Sequence, residues 1–248
     1  MSSYHSSENQ LPHHAGTLEV HLLGTVDYPA FLGLQEYLTY EISGRRSADG
    51  ILLLCEHPPL ITVGRQGSRS HIHLEKRNTA SPDVDVRWVA RSGGAFAHAP
   101  GQLAVYPIFP LDKIGVGLSE FRSRLEQALC LTCRELKVPA KRNHEASGLW
   151  GRGGQLGYFG SSVRSWVSNH GVFLNVTTPP EMMSLTTPNN VGVSATSIQA
   201  HRLQPVPMPT LRETVIRKVS EQFQYETSDV STGHPLLKRT TQRILTHA

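Results

Sequence analysis

The sequence predicts a mixed α+β domain with a mainly antiparallel sheet flanked by helices. Three observations favour this class: segments with an apolar residue at every second position, helical patterns between them, and glycine-rich turns that join several of the strands. With 248 residues, 38% of them hydrophobic, the chain can bury the core of one large domain. We expect this domain at residues 17–226, after a disordered polar leader at 1–16 and before a C-terminal extension at 227–248.

The N-terminal half contains several strand patterns and one helix pattern. Residues 17–26 alternate as a half-buried strand does, and residues 28–42 carry apolar side chains at helical spacing. The apolar run at 50–65 is interrupted by a Pro-Pro pair and resumes with β-branched residues, which predicts two strands joined by a tight bend. Residues 83–90 and 102–109 are predicted strands on either side of the Gly-rich loop RSGGAFAHAPG.

The C-terminal half begins with an amphipathic helix pattern at 119–136. Residues 148–176 alternate between glycine pairs, which predicts antiparallel strands in a second, sheet-rich lobe. Residues 177–190 are too rich in proline and threonine for a core element, and 209–226 form another amphipathic helix pattern. The remaining C-terminal residues are polar, and we expect them to fray.

Composition and charge exclude several classes of protein. No apolar stretch approaches the roughly 20 residues of a membrane span, and the first residues lack a secretory signal, so we expect a cytoplasmic protein. A net charge of +4 favours acidic partners. The basic residues are scattered and no nucleic-acid-binding motif is present, so we expect no nucleic-acid partner.

Motifs for common cofactor and nucleophile chemistry are weak. Cys130 and Cys133 have the C-x-x-C spacing of zinc and redox sites, but they lie in a helix pattern without a second pair. We therefore interpret them, with Cys55, as packed thiols, and expect no metal site. The glycines of GRGGQLGYFG fit neither dinucleotide nor phosphate-loop spacing.

The Gly-rich loop and the segment SNHGVFLNV remain as the best candidates for a site. Glycine lets the backbone approach a ligand closely, and small alanines leave room for an extended apolar chain, so these residues predict a slot. The alternative is that the glycines form tight turns and that His98 and His170 are hydrogen-bonded core residues.

Five motifs resemble, in order and spacing, those of the lipoyl/octanoyl transferases, relatives of the biotin and lipoate protein ligases. They are LLLCEHPPLITVGR, RSGGAFAHAPGQLAVYPI, GLWGRGGQLGYFG, NHGVFLNV and TPNNVGVSATSI, and the resemblance covers residues 17–200. It implies a biotin/lipoate ligase-like domain that acts as a monomer without a cofactor. It also implies octanoyl transfer from octanoyl-acyl carrier protein to a lysine of lipoyl domains, in 2-oxoacid dehydrogenases or the glycine cleavage protein.

The resemblance also implies the residues of an acyl tunnel. Its walls would be formed by the Gly-rich loop and by two later strands, with an ordering asparagine nearby. These residues are Arg91, Ser92, Gly93, Gly94, Ala95, Phe96, Ala97, His98, Tyr158, Phe159, Gly160, Gly171, Val172, Phe173 and Asn175.

The chain departs from the family at both catalytic positions. The family places a nucleophilic cysteine in a P-C-G turn, where this chain has Pro188, Asn189 and Asn190. The family lysine that lowers the pKa of this cysteine corresponds to Gln155. Because an amide is not a nucleophile, no acyl-enzyme can form at position 189.

Three hypotheses remain from the sequence. The first is a transferase that holds the acyl thioester and the acceptor lysine together, with Asn189 and Gln155 donating hydrogen bonds to the thioester carbonyl. The second is a protein that binds an octanoyl, lipoyl or acyl carrier ligand without turnover. The third is an ATP-dependent lipoate-protein ligase, which the missing lysine disfavours.

Overall fold

The computed structural model describes residues 16–76, 84–143, 145–189 and 191–237. The strands are β1 (Thr17–Thr25), β2 (Gly50–Glu56), β3 (Leu60–Val63), β4 (Asp85–Trp88), β5 (Ala95–His98), β6 (Gln102–Ile108), β7 (Lys141–Arg142), β8 (Leu149–Gly151), β9 (Gly154–Arg164), β10 (Val167–Asn175) and β11 (Thr227–Thr232). The helices are α1 (Tyr28–Gly44), α2 (Leu118–Glu135), α3 (Pro180–Met183) and α4 (Met208–Phe223).

Two sheets organise the described part of the chain. The larger has the strand order β11-β1-β2-β6-β10-β9-β8-β7. In it β1 pairs in parallel with both β2 and β11, and all other neighbours are antiparallel. The smaller has the order β4-β3-β5. The predicted fold class, a mainly antiparallel sheet flanked by helices, is confirmed.

Helices cover both faces of the large sheet because the inner strands are apolar on both sides. In β2, Leu52 and Leu54 pack towards α2 and α4, whereas Ile51 and Leu53 pack towards α1. α1 begins where the Asp27 carboxylate accepts a hydrogen bond from the N–H of Ala30, 3.4 Å away. The site described below lies on the α1 side.

The strand pairings differ from two of the predictions. The Pro-Pro bend does connect two strands, but it carries the chain from β2 in the large sheet to β3 in the small sheet. The prediction of a second, separate lobe is wrong, because β8, β9 and β10 continue the same sheet as β1 and β2. Periodicity identifies strands but does not specify which strands pair.

The segment after α4 is also more ordered than predicted. Thr227–Thr232 forms β11 at the edge of the large sheet, so the expectation that these residues fray is wrong. Their side chains are exposed, and their polarity reflects an edge position rather than the absence of structure. The leader residues 1–15 and the residues 238–248 lie outside the described ranges. Within those ranges no helix has the length and apolar character needed to cross a membrane.

Candidate functional site

The predicted Gly-rich loop is partly a strand. Ala95–His98 forms β5, antiparallel to β3, and Gly93 and Gly94 precede it. Gly93 has a φ of +82°, and a Cβ there would lie 2.5 Å from the ring of Phe96, so the position requires glycine for both conformation and space. The loop reaches β9, where the Ser92 N–H donates to the Ser161 carbonyl at 2.8 Å.

Arg91 lies completely buried at the start of this loop. Its Nη1 donates to the carbonyls of Ser92 and Gly94, at 2.9 and 3.1 Å, and its Nη2 donates to the carbonyl and hydroxyl of Thr62, at 2.9 and 2.6 Å. The guanidinium stacks 3.8 Å above the Phe96 ring. Burial lowers the pKa of Arg91 to about 10, so it stays charged at neutral pH. Carbonyl dipoles and the ring face stabilise this charge.

His98 is fixed in one tautomer by a chain of hydrogen bonds. Gln102 Oε1 can only accept, so the neutral His98 ring carries its hydrogen on Nδ1, and its Nε2 accepts from the Thr62 hydroxyl 2.7 Å away. His98 Nδ1 then donates to Gln102 Oε1 at 2.7 Å, and Gln102 Nε2 donates to Asn175 Oδ1 at 2.9 Å. Burial holds the pKa of His98 well below its usual value. With both ring nitrogens engaged, this neutral imidazole has none left for proton transfer.

Aromatic side chains fill the space between β5 and the strands β9 and β10. Phe96 stacks on Tyr158 with ring centroids 4.9 Å apart, and its centroid lies 5.8 Å from that of Phe173. All three are at most 2% exposed. A Cβ added at Gly160 would lie 2.9 Å from Phe96 and from Arg91. The slot expected from the small residues is therefore occupied by the chain's own rings.

Strand alternation directs other predicted wall residues away from these rings. Ala95 and Ala97 pack on the other face of β5, and Phe159 and Val172 pack towards α2 and α4. Gly171 allows close strand packing, because a Cβ there would overlap a carbonyl oxygen of β6. Of the residues predicted to form the tunnel wall, only those on one face of β5, β9 and β10 contact the packed rings.

Asn189 and Gln155 meet beside the Gly-rich loop, where a Cβ added at Gly94 would lie 2.9 Å from the carbonyl oxygen of Pro188. Asn189 Nδ2 donates to Gln155 Oε1 at 2.8 Å and to the Val193 carbonyl at 3.0 Å. Gln155 Nε2 donates to the carbonyls of Ser147 and Gly157, at 3.0 and 3.3 Å. All the amide hydrogens of the pair are therefore engaged. This arrangement contradicts the expectation that the two amides donate to a thioester carbonyl.

The cysteines offer no replacement nucleophile. Cys55, Cys130 and Cys133 are free and buried. Burial raises the pKa of all three thiols, to about 11 for Cys130 and about 12 for Cys133. A nucleophile requires the thiolate, so these thiols are inert at neutral pH. In the described ranges no group of three or more His, Cys, Asp or Glu residues could hold a metal.

The sequence reasoning did not select several polar residues that support the site. Thr62 and Gln102 belong to the chain around His98, and His57 Nε2 accepts from the Tyr106 hydroxyl at 2.7 Å while its Nδ1 donates to the Val26 carbonyl at 2.7 Å. Burial lowers the pKa of His57 to about 4. A sequence signal that could have identified Thr62 and Gln102 is the presence of a polar residue in an otherwise apolar strand, as in LITV and QLAVYPI.

The described residues adopt the fold of the lipoate protein ligases. A lipoate-protein ligase A bound with ATP superposes with a TM-score of 0.69 at 14% identity, covering 88% of this chain and 90% of that one. A bipartite lipoate protein ligase from Thermoplasma acidophilum gives 0.68 at 15% identity, covering 90% and 89%. At such low identity these structures establish the fold alone.

Sequence comparison identifies the family. The profile of the lipoyl protein ligase A/B catalytic domain matches residues 27–220, and the chain belongs to this family. An octanoyltransferase of Geobacter metallireducens is 36% identical over 196 residues, which cover 78% of this chain and 87% of that protein. An octanoyltransferase of Syntrophotalea carbinolica is 34% identical over 200 residues, covering 80% and 91%.

Proposed function

We propose that this chain is a non-catalytic relative of the octanoyltransferases. It would bind a protein of lipoate metabolism, either acyl carrier protein or a lipoyl domain, without transferring an acyl group. The observation that carries this proposal is the amide pair. Asn189 and Gln155 satisfy each other and four neighbouring backbone groups, at the positions where the family resemblance places a thiol and an ammonium.

Two further features support the proposal. The rings of Phe96, Tyr158 and Phe173 occupy the space in which the resemblance places an acyl chain. The three thiols of the chain are buried with raised pKa values, so none replaces the missing nucleophile. Binding through the surface needs neither an open slot nor a thiolate.

Both catalytic alternatives require a group that stabilises negative charge at the mouth of the slot. Direct transfer develops an oxyanion on the thioester, and an ATP-dependent ligase forms an acyl phosphate anhydride that is itself anionic. The amide pair has no free hydrogen for either of them. The geometry therefore favours binding without turnover over these two routes.

The test is octanoyl transfer from octanoyl-acyl carrier protein to a lipoyl domain, followed by mass spectrometry. We expect no transfer by the natural protein above a boiled control, and transfer by the Geobacter metallireducens relative as the positive control. Turnover that resists thiol alkylation would establish direct transfer instead. Pyrophosphate release on mixing octanoate with ATP would establish a ligase.

The binding half of the proposal is tested separately by calorimetry. The natural protein is titrated with acyl carrier protein and with a lipoyl domain. We expect saturable binding of at least one of them. If neither partner binds, the proposed function is rejected even if the protein is catalytically inactive.

A further inference from the structure

The part of the chain that links α2 to α4 is rich in positive charge. Residues 136–207 contain six Lys and Arg residues but only two carboxylates, those of Glu145 and Glu181. With the histidines counted as neutral, this part has a net charge of +4, which equals the net charge of the whole chain. The fold decides whether these charges also lie on one surface.

Strand pairing places one of these cations, Lys141, beside the amide pair. Lys141 in β7 lies opposite Trp150 in β8, and Trp150 lies opposite Gln155 in β9. Two strand spacings therefore separate the backbones of Lys141 and Gln155, about 10 Å in all. Directly opposed residues point to the same face of a sheet, so Lys141 extends from the face that carries Gln155. The next residue, Arg142, points to the other face, where it donates to the Ser123 carbonyl at 2.9 Å.

Three further cations lie around the same edge of the sheet. Arg152 lies in the two-residue turn that joins β8 to β9. Lys137 precedes Lys141 by four positions, which span at most about 14 Å. Arg202 comes from a distant segment, and its Nη1 donates to the carbonyl of Leu136, the residue before Lys137. We call Lys137, Lys141, Arg152 and Arg202 the basic edge.

The basic edge is accessible and its charges are unpaired. Lys137, Lys141 and Arg152 are exposed, and Arg202 is half-buried. Among the residues that the structure describes, none of the four forms an ion pair. Four cations of one sign repel one another, and an acidic partner would relieve this repulsion.

The neighbouring carboxylates do not neutralise this surface. Glu126 is 3% exposed and pairs with Arg122 at 3.0 Å. Glu135 pairs with two cations of α4. Glu145 lies between β7 and β8 and has no ion-pair partner within the described ranges. The basic edge therefore keeps its positive charge for a partner.

We propose that the basic edge is the surface on which the acidic face of acyl carrier protein docks, a step that rests on the proposed function. Unpaired cations complement a protein that exposes carboxylates. A partner docked here would lie next to Gln155, at the family's catalytic positions. A lysine on an edge strand also discourages pairing with other strands, but that role does not account for Arg152 in a turn or for Arg202.

The same charges favour the carrier over a lipoyl domain. In the family's reaction the lipoyl domain presents a lysine, which would have to reach Asn189 and Gln155. Its ammonium would then approach that of Lys141, and like charges repel. The carrier presents an uncharged thioester, so its acidic face meets the basic edge without this penalty.

The surface is tested by titration calorimetry with octanoyl-acyl carrier protein in 150 mM NaCl. We expect saturable binding by the natural protein. Binding should weaken about tenfold in the double variant Lys141→Gln, Arg152→Gln, because two partly exposed ion pairs together contribute about that much. Thermal melting verifies that the variant is folded.

The matched control removes two positive charges elsewhere, in the double variant Lys113→Gln, Arg164→Gln. Lys113 pairs with Asp112, and Arg164 pairs with Glu36. Arg164 ends β9, roughly 30 Å along the strand from its start at Gly154. The control has the same net charge as the test variant and should bind within about twofold of the natural protein, because salt screens distant charges.

Several results would overturn the proposal. Equal carrier binding by the natural protein and the test variant would reject the basic edge and leave the proposed function. Equal weakening in both double variants would show that net charge, not this surface, is responsible. Binding of the lipoyl domain but not of the carrier would reject the partner choice. A short DNA duplex that binds as tightly as the carrier and is weakened by the same variant would reassign the surface to nucleic acid. If neither protein partner binds, the proposed function itself is rejected.

Discussion

Three histidines illustrate how single residues adapt to the closed slot. His57, His98 and His170 are buried. Burial lowers the pKa of His57 to about 4 and that of His170 to about 3, and holds that of His98 well below its usual value. Each is therefore neutral when the chain is folded at neutral pH. Unfolding releases them to water, where their pKa is about 6.5.

These histidines predict that stability falls in mild acid. A pKa that is lower in the folded state means that the unfolded chain binds more protons below about pH 6.5, so the stabilisation present above that pH is lost as the pH falls towards 4. We expect each histidine to contribute about 1.4 kcal/mol per pH unit across this window. Urea unfolding at pH 7 and at pH 5 measures the effect. Equal free energies of unfolding at the two values would contradict it.

Phe96 predicts how the slot could be opened. Replacing Phe96 with alanine removes the ring that stacks between Arg91 and Tyr158, and should cost about 3–5 kcal/mol of stability. The space left behind is apolar on the Tyr158 side, so the variant should bind octanoate, as measured by calorimetry. Phe121→Ala, which truncates an equally buried ring on α2, is the control for stability loss without a new site. Octanoate binding to the natural protein would contradict this prediction.

Among the secondary-structure elements, β11 has a role that its composition does not suggest. It pairs in parallel with β1 from Thr17–Thr227 to Leu22–Thr232, and so covers the edge of a strand that contains the buried Leu18 and Val20. An uncovered edge next to buried apolar residues invites pairing with other chains. The strand therefore protects the sheet although its own side chains face solvent.

This role predicts the effect of shortening the chain. A protein ending at Glu226 lacks β11, and one ending at Leu237 retains it and serves as the control. We expect the shorter protein to be less stable by about 2 kcal/mol, which lowers Tm by roughly 4–8 °C in a chain of this size. It should also aggregate more readily in light scattering. Equal melting temperatures for the two proteins would show that β11 does not support the sheet.

Considered as a whole, the molecule has a net charge of +4, which favours encounter with acidic proteins. The proposed partner binding should therefore depend on ionic strength. Raising NaCl from 50 to 300 mM should slow the association of acyl carrier protein with this protein about tenfold. It should change the dissociation rate little, because screening acts on the encounter. Stopped-flow fluorescence measures both rates. An association rate that does not change with salt would contradict electrostatic steering.

Much of the fold was predictable because local patterns specify it. The periods of α1, α2 and α4 and the alternation of β1 and β10 are properties of short segments. The pairing of β10 with β6 and the position of β11 at the edge depend on segments far apart in sequence. Similarly, the resemblance located Asn189 and Gln155, but their mutual hydrogen bond could not be derived from residues separated by 34 positions.

The sequence by itself determined the family and most of the secondary-structure elements, because residue identities and local periods suffice for these. The resemblance also aligned Asn189 with the family's cysteine and Gln155 with its lysine. The tertiary structure alone decided that Phe96, Tyr158 and Phe173 fill the slot and that the amide pair has no free hydrogen. These are questions of packing and hydrogen-bond partners, which exist only when distant segments meet.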